Sequence, residues 1–389
     1  MKISIIGFGF TGATLPLANA LVKRNLVDCY YFVYYSNKSK SIESLDYENE
    51  RLIVGVPHKI KKDNTIYNYL SKDINLYLIP LCPNGPKWFM PFSAFINKLI
   101  CVLLALKLLL NKVDMFNVVL HTQLEYILYR ILSVKSTVVL SVHEIFESLN
   151  EKKVLRENIR KISTQKCHVV FHSQNVLYEF ESLLPNHSCS THCIRFGNFD
   201  SYRSFLPKIH HIHPDEKTYV LFIGSIQPYK GLNLLYKAMG QTRNADIPLV
   251  IAGKGYVPEI KMFAKRKNTK VLNRYISNTE LVELIVNSCF IVCPYRSASQ
   301  TGIIPTAFVF NKPVVATEVG AFGEMIKNGL NGMLVPKKKS DALGEVIYEL
   351  FHNKSKLQKM EDYLENLNRD EWNSIADKYS ILFSDLHKK

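Results

Sequence analysis

Residues 287–317, NSCFIVCPYRSASQTGIIPTAFVFNKPVVAT, constrain the fold more than any other stretch of the chain. Phe290–Cys293 is a short apolar run of strand type, and residues 313–316 are a second. Between them lies a loop of small residues, Ser297-Ala298-Ser299-Gln300-Thr301-Gly302, and then an apolar segment of helical length, residues 303–310. Strand, loop, helix and strand in that order form a βαβ unit, which implies parallel strands. The loop leaves the carboxyl end of its strand and enters a helix N-terminus, where free N–H groups and the dipole favour anions. In open α/β sheets that edge is where ligands sit. Gly302 would let a ligand approach the backbone, while Gln300 and Thr301 offer hydrogen bonds to hydroxyls. An ordinary polar βα connection fits the same spacing, because topology alone does not make a site.

The first half repeats the alternation. Ile3–Gly7 is a strand, residues 14–24 a helix with Pro16 in its first turn, and residues 30–35 a strand. Gly7-Phe8-Gly9-Phe10-Thr11-Gly12 fits the G-x-G-x-x-G dinucleotide fingerprint between strand and helix. The second strand, however, runs into Ser36-Asn37-Lys38-Ser39-Lys40, with no carboxylate to hold a ribose. A nicotinamide-dependent oxidoreductase therefore meets only half of its requirement. Further strands end at His121 and His143, and residues 151–166 form a strongly basic helix carrying Lys152, Lys153, Arg156, Arg160, Lys161 and Lys166. Residues 94–112 are a helix-length apolar segment with Lys98, Lys107 and Lys112. Ser277-Asn278-Thr279-Glu280 fits a capping box.

At 389 residues, two domains are expected, joined by the polar, aperiodic segment 208–217. Its histidines, and the His187, Cys189, His192 and Cys193 group, lack zinc-type spacing, so no metal is expected. The eight cysteines form no repeated framework and read as reduced thiols of a cytoplasmic protein. The N-terminus shows neither the basic region nor the cleavage site of a signal peptide. The longest apolar run, residues 99–110, is interrupted by Lys107, so no transmembrane helix is expected. A net charge of +15 favours an anionic partner. No nucleic-acid motif accompanies it, which ranks diphosphate ligands and an anionic membrane surface above nucleic acid.

The Ser299-Gln300-Thr301-Gly302 loop, its helix and the following Lys312-Pro313-Val314-Val315-Ala316-Thr317 resemble the donor-sugar loop of family 4 glycosyltransferases. Upstream, Tyr219-Val220-Leu221-Phe222-Ile223-Gly224, Tyr229-Lys230-Gly231-Leu232 and Leu249-Val250-Ile251-Ala252-Gly253 continue the pattern. Gly320-Ala321-Phe322-Gly323-Glu324 and the glycine-rich stretch 328–336 do so downstream. Trp372, Ala376 and Tyr379 resemble the family's C-terminal helix. The likeness covers about residues 217–350 well and the first half more loosely.

That resemblance implies an α/β GT-B fold, two Rossmann-like domains facing across a cleft. The expected bounds are 1–207 on the acceptor side, 208–217 as linker, 218–366 on the nucleotide-sugar side, and 367–389 as a helix returning to the first domain. It implies a hexosyltransferase that moves a sugar from a nucleotide-activated donor to a saccharide or lipid-linked acceptor. Retention of configuration, no obligatory metal and no cofactor beyond the donor are expected. The setting would be polysaccharide or lipopolysaccharide synthesis on the cytoplasmic membrane face. Donor contacts would come from Gly224, Lys230, Gln300, Thr301, Gly302, Ile303 and Thr306. His143 matches the histidine of the family's H-(D/E) motif, His121 is a second catalytic candidate, and Gly9 and Gly12 belong to the cleft loop. Two departures stand out. Ser225 and Gln227 occupy positions where an arginine is usual, and Ala298 and Thr306 replace the family's glutamate pair. A non-catalytic scaffold that binds a nucleotide or a partner transferase therefore stays open beside the enzyme.

Overall fold

The computed structural model describes residues 2–388 except 9–10, 36–40, 43–44, 47–51, 84–85, 87, 112, 121–122, 143–152, 210–218 and 299–300. The chain divides into two compact units, one made of residues 1–197 with 372–389 and the other of residues 198–371.

In the first unit the strands are β1 (Ile3–Gly7), β2 (Val27–Tyr35), the small ribbon β3 (Ser41–Ile42) and β4 (Leu45–Asp46), β5 (His58–Lys59) and β6 (Asn75–Leu81). They are followed by β7 (Met115–Leu120), β8 (Thr137–Val142), β9 (His168–Phe171) and β10 (Ser190–Cys193). Its helices are α1 (Thr11–Val22), α2 (Met90–Leu109), α3 (Gln123–Leu132), α4 (Lys153–Ser163) and α5 (Gln174–Leu183). The main sheet has the order β10-β9-β8-β7-β1-β2-β6-β5, parallel except for β5. Every residue of β1 and β7 is buried, as expected of strands covered on both faces. One face packs on Leu104, Leu108, Leu128, Ile159 and Phe180 of α2–α5. The other packs on Leu15 and Leu21 of α1 and on Ile375, Ala376, Tyr379 and Phe383 near the C-terminus. α1 begins at Thr11, three residues earlier than expected, so Pro16 falls in its second turn, where it cannot donate to the Gly12 carbonyl.

α2 is longer than its sequence pattern suggested. Pro91 in its first turn allows the helix to start at Met90, giving 20 residues, long and apolar enough to cross a membrane by length and composition. The expectation that no helix would reach that length is thus corrected. One face of α2, with Ile100, Cys101, Leu104, Ala105 and Leu108, is part of the core of this unit.

The second unit carries β11 (Val220–Ile223), β12 (Leu249–Ala252), β13 (Thr269–Leu272), β14 (Phe290–Cys293), β15 (Val314–Thr317) and β16 (Gly332–Val335). Its helices are α6 (Leu232–Met239), α7 (Glu259–Phe263), α8 (Asn278–Val286), α9 (Ile303–Val309), α10 (Phe322–Met325), α11 (Ser340–His352) and the first part of α12 (Lys354–His387). The six strands are parallel in the order β13-β12-β11-β14-β15-β16. The Ser277 hydroxyl caps α8 by accepting the Glu280 N–H at 3.3 Å, but the Glu280 carboxylate pairs with Arg274 at 2.6 Å.

Residues 198–207, expected with the first domain, belong to the second unit. Tyr202, Phe205 and Ile209 pack with Val282 of α8, and the Asn198 N–H donates to Glu371 at 2.8 Å. Apolar side chains over a helix, rather than the charge pattern of the following linker, decide where the first unit ends.

Candidate active site

Strand order locates the sites. In the second unit the chain runs outward from β11 to β12 and β13, then returns to place β14 on the other side of β11. The β11/β14 boundary is therefore the topological switch point, the place beyond the strand ends where an α/β sheet opens a crevice. The loops that leave these two strands contain Gly224, Lys230, Thr301 and Gly302, and Ile303 opens α9.

Close backbone approach shapes the β11 end. Gly224 has φ of 132° and Gly253 of 147°, conformations that glycine tolerates. A Cβ on Gly253 would lie 1.8 Å from the Gly224 carbonyl oxygen. Gly231 turns the chain into α6 at φ of 72°, and its Cβ would lie 1.7 Å from the Pro294 carbonyl oxygen. The Arg296 N–H donates to the Tyr229 carbonyl at 2.7 Å, so the two loops are bound together.

This junction holds Lys230. The side chain is buried, only 8% exposed, with its ammonium 3.8 Å from the centre of the Tyr295 ring and 5.1 Å from that of Tyr229. Tyr295 is itself buried against Phe322, and the Thr317 hydroxyl donates to its carbonyl. Burial raises the Tyr295 phenol well above its ordinary range. Burial also lifts the Cys293 thiol to about 12, although Lys230 pulls it down. Both neighbours therefore stay neutral while Lys230 supplies positive charge in a sheltered place.

On the β14 side the Thr301 hydroxyl accepts the Ile303 N–H at 3.3 Å. Thr306 is buried, and its hydroxyl donates to the Gly302 carbonyl at 2.7 Å. Thr306 thus braces the loop from below, and where the family carries a carboxylate this chain carries a hydroxyl bonded to its own backbone. Ile303 faces Gly224, with 3.9 Å between Ile303 Cγ1 and the place a Gly224 Cβ would occupy. Gly302 has φ of −73°, accessible to any residue, and a Cβ there would meet the Phe199 ring at 3.2 Å. A side chain at this position would press on Phe199, so the tightness at Gly302 comes from packing rather than from an unusual dihedral. α9 has only seven residues, which limits its dipole.

Sequence reasoning missed Tyr295 and Arg296, which lie two and three residues past the end of β14, behind Pro294. They line a cavity of about 370 Å³ with Lys237 and Lys338. Glu324 is exposed in the short α10. Gln300, Gly9, His121 and His143 lie outside the described residues. Among described elements, β1 and β7 flank the switch point of the first unit. Gly12 is buried in the first turn of α1, just after that boundary, while His121 follows β7 and His143 follows β8 in the chain. No group of three metal-ligating side chains occurs among the described residues.

Residues 208–367 match the family "Glycosyl transferases group 1". An uncharacterized glycosyltransferase of Methanocaldococcus jannaschii is 32% identical over 142 residues, 34% of this chain and 38% of the relative. The O-antigen chain mannosyltransferase C of Escherichia coli is 28% identical over 141 residues, 35% of this chain and 37% of the relative. The aligned stretch thus spans well under half of either relative. The crystal structure of Anabaena Alr3699/HepE in complex with UDP-glucose superposes with a TM-score of 0.63 at 15% identity, covering 99% of this chain and 100% of that one. Both units thus have the parallel, Rossmann-like sheets of the GT-B fold.

Proposed function

Because the chain belongs, through residues 208–367, to the glycosyl transferases group 1 family, we propose that it transfers a sugar from a nucleotide-activated donor to a saccharide or lipid-linked acceptor. The observation that carries this reading is the sheltered Lys230 beside Tyr295, in the loop that leaves β11 at the β11/β14 switch point. In such a transfer the bond from the anomeric carbon to the phosphate oxygen breaks, a bond to the acceptor oxygen forms, and the acceptor hydroxyl gives its proton to the departing diphosphate. Negative charge accumulates on the departing diphosphate, where a fixed cation lowers the barrier. Lys230 needs little reorganisation for that role, since Tyr295 and Gly231 hold it in position. Thr301 and the backbone at Gly224 and Gly302 supply hydrogen-bonding groups for the donor. Retention of configuration without a metal is part of the same reading.

The likeness to an O-antigen chain mannosyltransferase supports a setting in surface polysaccharide or lipopolysaccharide assembly. HepE is described with UDP-glucose, which makes UDP-sugars the first donors to test. The experiment measures release of nucleoside diphosphate from UDP-, GDP- and dTDP-sugars, with and without oligosaccharide or polyprenyl-linked acceptors. Turnover above that of Lys230→Met supports the reading. Tight nucleotide binding without turnover, for every donor and acceptor, would instead favour a scaffold, the alternative raised by Ala298 and the braced Thr306. A nicotinamide fluorescence titration tests the oxidoreductase reading and is expected to show no binding.

A further inference from the structure

α2 is buried on one side only. The outward side exposes Phe92 (57%), Phe95 (66%), Leu99, Leu103, Leu106 and, just past the end, Leu110 (85%). At about 3.6 residues per turn these positions form one continuous stripe along the helix. Trp88, 79% exposed, precedes the helix, with Phe89 and Phe92 forming an aromatic group beside it. Ile53, Val54 and Val56 are also exposed, and their loop lies against α2, since a Cβ on Gly55 would be 2.9 Å from Ile100 Cγ1. Soluble chains rarely expose so much contiguous apolar surface without a partner for it.

Charge identifies the partner. Residues 74–113 contain Lys87, Lys98, Lys107 and Lys112 and no acidic residue. Lys98 and Lys107 are exposed, and helical geometry puts them on opposite flanks of the stripe. Exposed Lys59 and Lys61 follow the Ile53–Val56 loop. A helix with an apolar face, basic flanks and a terminal tryptophan is suited to lie in a bilayer interface, where lysines reach the headgroups. Pairing of the stripe with a second copy about a twofold axis would oppose lysine to lysine. A membrane span is unsuitable because the opposite face of α2 belongs to the core.

We propose that α2, together with the Ile53–Val56 loop, is an in-plane anchor that inserts its apolar stripe into an anionic lipid surface. On α4, Arg160 and Lys161 are exposed, and Lys161 is paired with Glu157. The proposal is independent of the transfer reading, because lipid binding is measured with neither donor nor acceptor present.

The test is co-sedimentation of the full chain with vesicles of phosphatidylcholine mixed with phosphatidylglycerol, and with phosphatidylcholine alone. The wild type is expected to bind the mixed vesicles at low salt. Phe95→Glu/Leu103→Glu is expected to lower partitioning at least about tenfold. Both sites are exposed, so circular dichroism and thermal melting should remain those of the wild type. Lys98→Glu/Lys107→Glu is expected to remove the preference for anionic lipid. Trp88 and Trp372 are the two tryptophans, so in Trp372→Phe brominated lipids should quench Trp88. Equal binding by wild type and the double glutamate variant, or no quenching of Trp88 on bound protein, would overturn the proposal. So would a wild-type dimer that does not bind vesicles and that the glutamate variant dissociates, since the stripe would then be occupied by a second copy.

Discussion

Lys230→Met separates charge from packing at the proposed donor site. Methionine retains an unbranched apolar stem against Tyr295, while the ammonium 3.8 Å from that ring centre disappears. At 8% exposure the ammonium acts in an environment far less polarisable than water. A unit charge pair at about 4 Å has roughly 4 kcal/mol of attraction at an effective dielectric of about 20. Stripping water from the phosphate offsets much of this, leaving about 1.5–3 kcal/mol for a charge-assisted contact. Affinity for a nucleoside diphosphate should therefore fall roughly 10- to 150-fold. The assay is calorimetric titration with UDP, GDP and dTDP, using the one that binds wild type most tightly. Equal affinity of a folded Lys230→Met protein and wild type for that nucleotide would remove Lys230 from the site.

Three further outcomes follow from the geometry. Gly231→Ala should lower the urea midpoint by the equivalent of about 1–3 kcal/mol or more and abolish nucleotide binding, because φ of 72° and the Pro294 carbonyl both oppose a side chain. Thr306→Val should cost about 0.5–1.5 kcal/mol in chemical denaturation and weaken nucleotide binding, by releasing the Gly302 carbonyl from its hydroxyl donor. His172 is buried against Phe196, with its ring 2.8 Å from the Ile194 carbonyl, and burial lowers its pKa from 6.5 to about 3. A depressed folded pKa means its contribution is complete above pH 6.5 and is lost as pH falls below that value, at up to about 1.4 kcal/mol per pH unit. Denaturation midpoints of His172→Asn should therefore show a shallower decline than wild type between neutral and mildly acidic pH.

Local chemistry was legible wherever apolar runs met turn residues. Phe290–Cys293 has the limits the sequence implied, because it is a fully apolar run that ends at Pro294. β6 was harder, since Pro80 argues against a strand; it is tolerated next to a short edge strand that pairs only with Tyr77 and Leu78. The switch point could not be read locally, because it depends on which distant strands pair with β11. Lys230 was legible as a loop lysine, but not its burial under Tyr295, which comes from a segment over sixty residues later. The stripe on α2 was hidden by its own hydrophobicity. Apolar residues occupy both its core face and its outer face, so periodicity alone could not separate them.

The shelter around Lys230 has a consequence for how the protein responds to ionic strength. At ordinary salt, mobile ions largely screen solvent-exposed charges separated by more than about 8–10 Å, and they screen buried charges much less. Lys98 and Lys107 stand in that ionic atmosphere, whereas Lys230 lies beneath aromatic rings. Rising salt should therefore release the protein from an anionic surface while nucleotide affinity changes little, so that one variable separates where the protein works from what it holds.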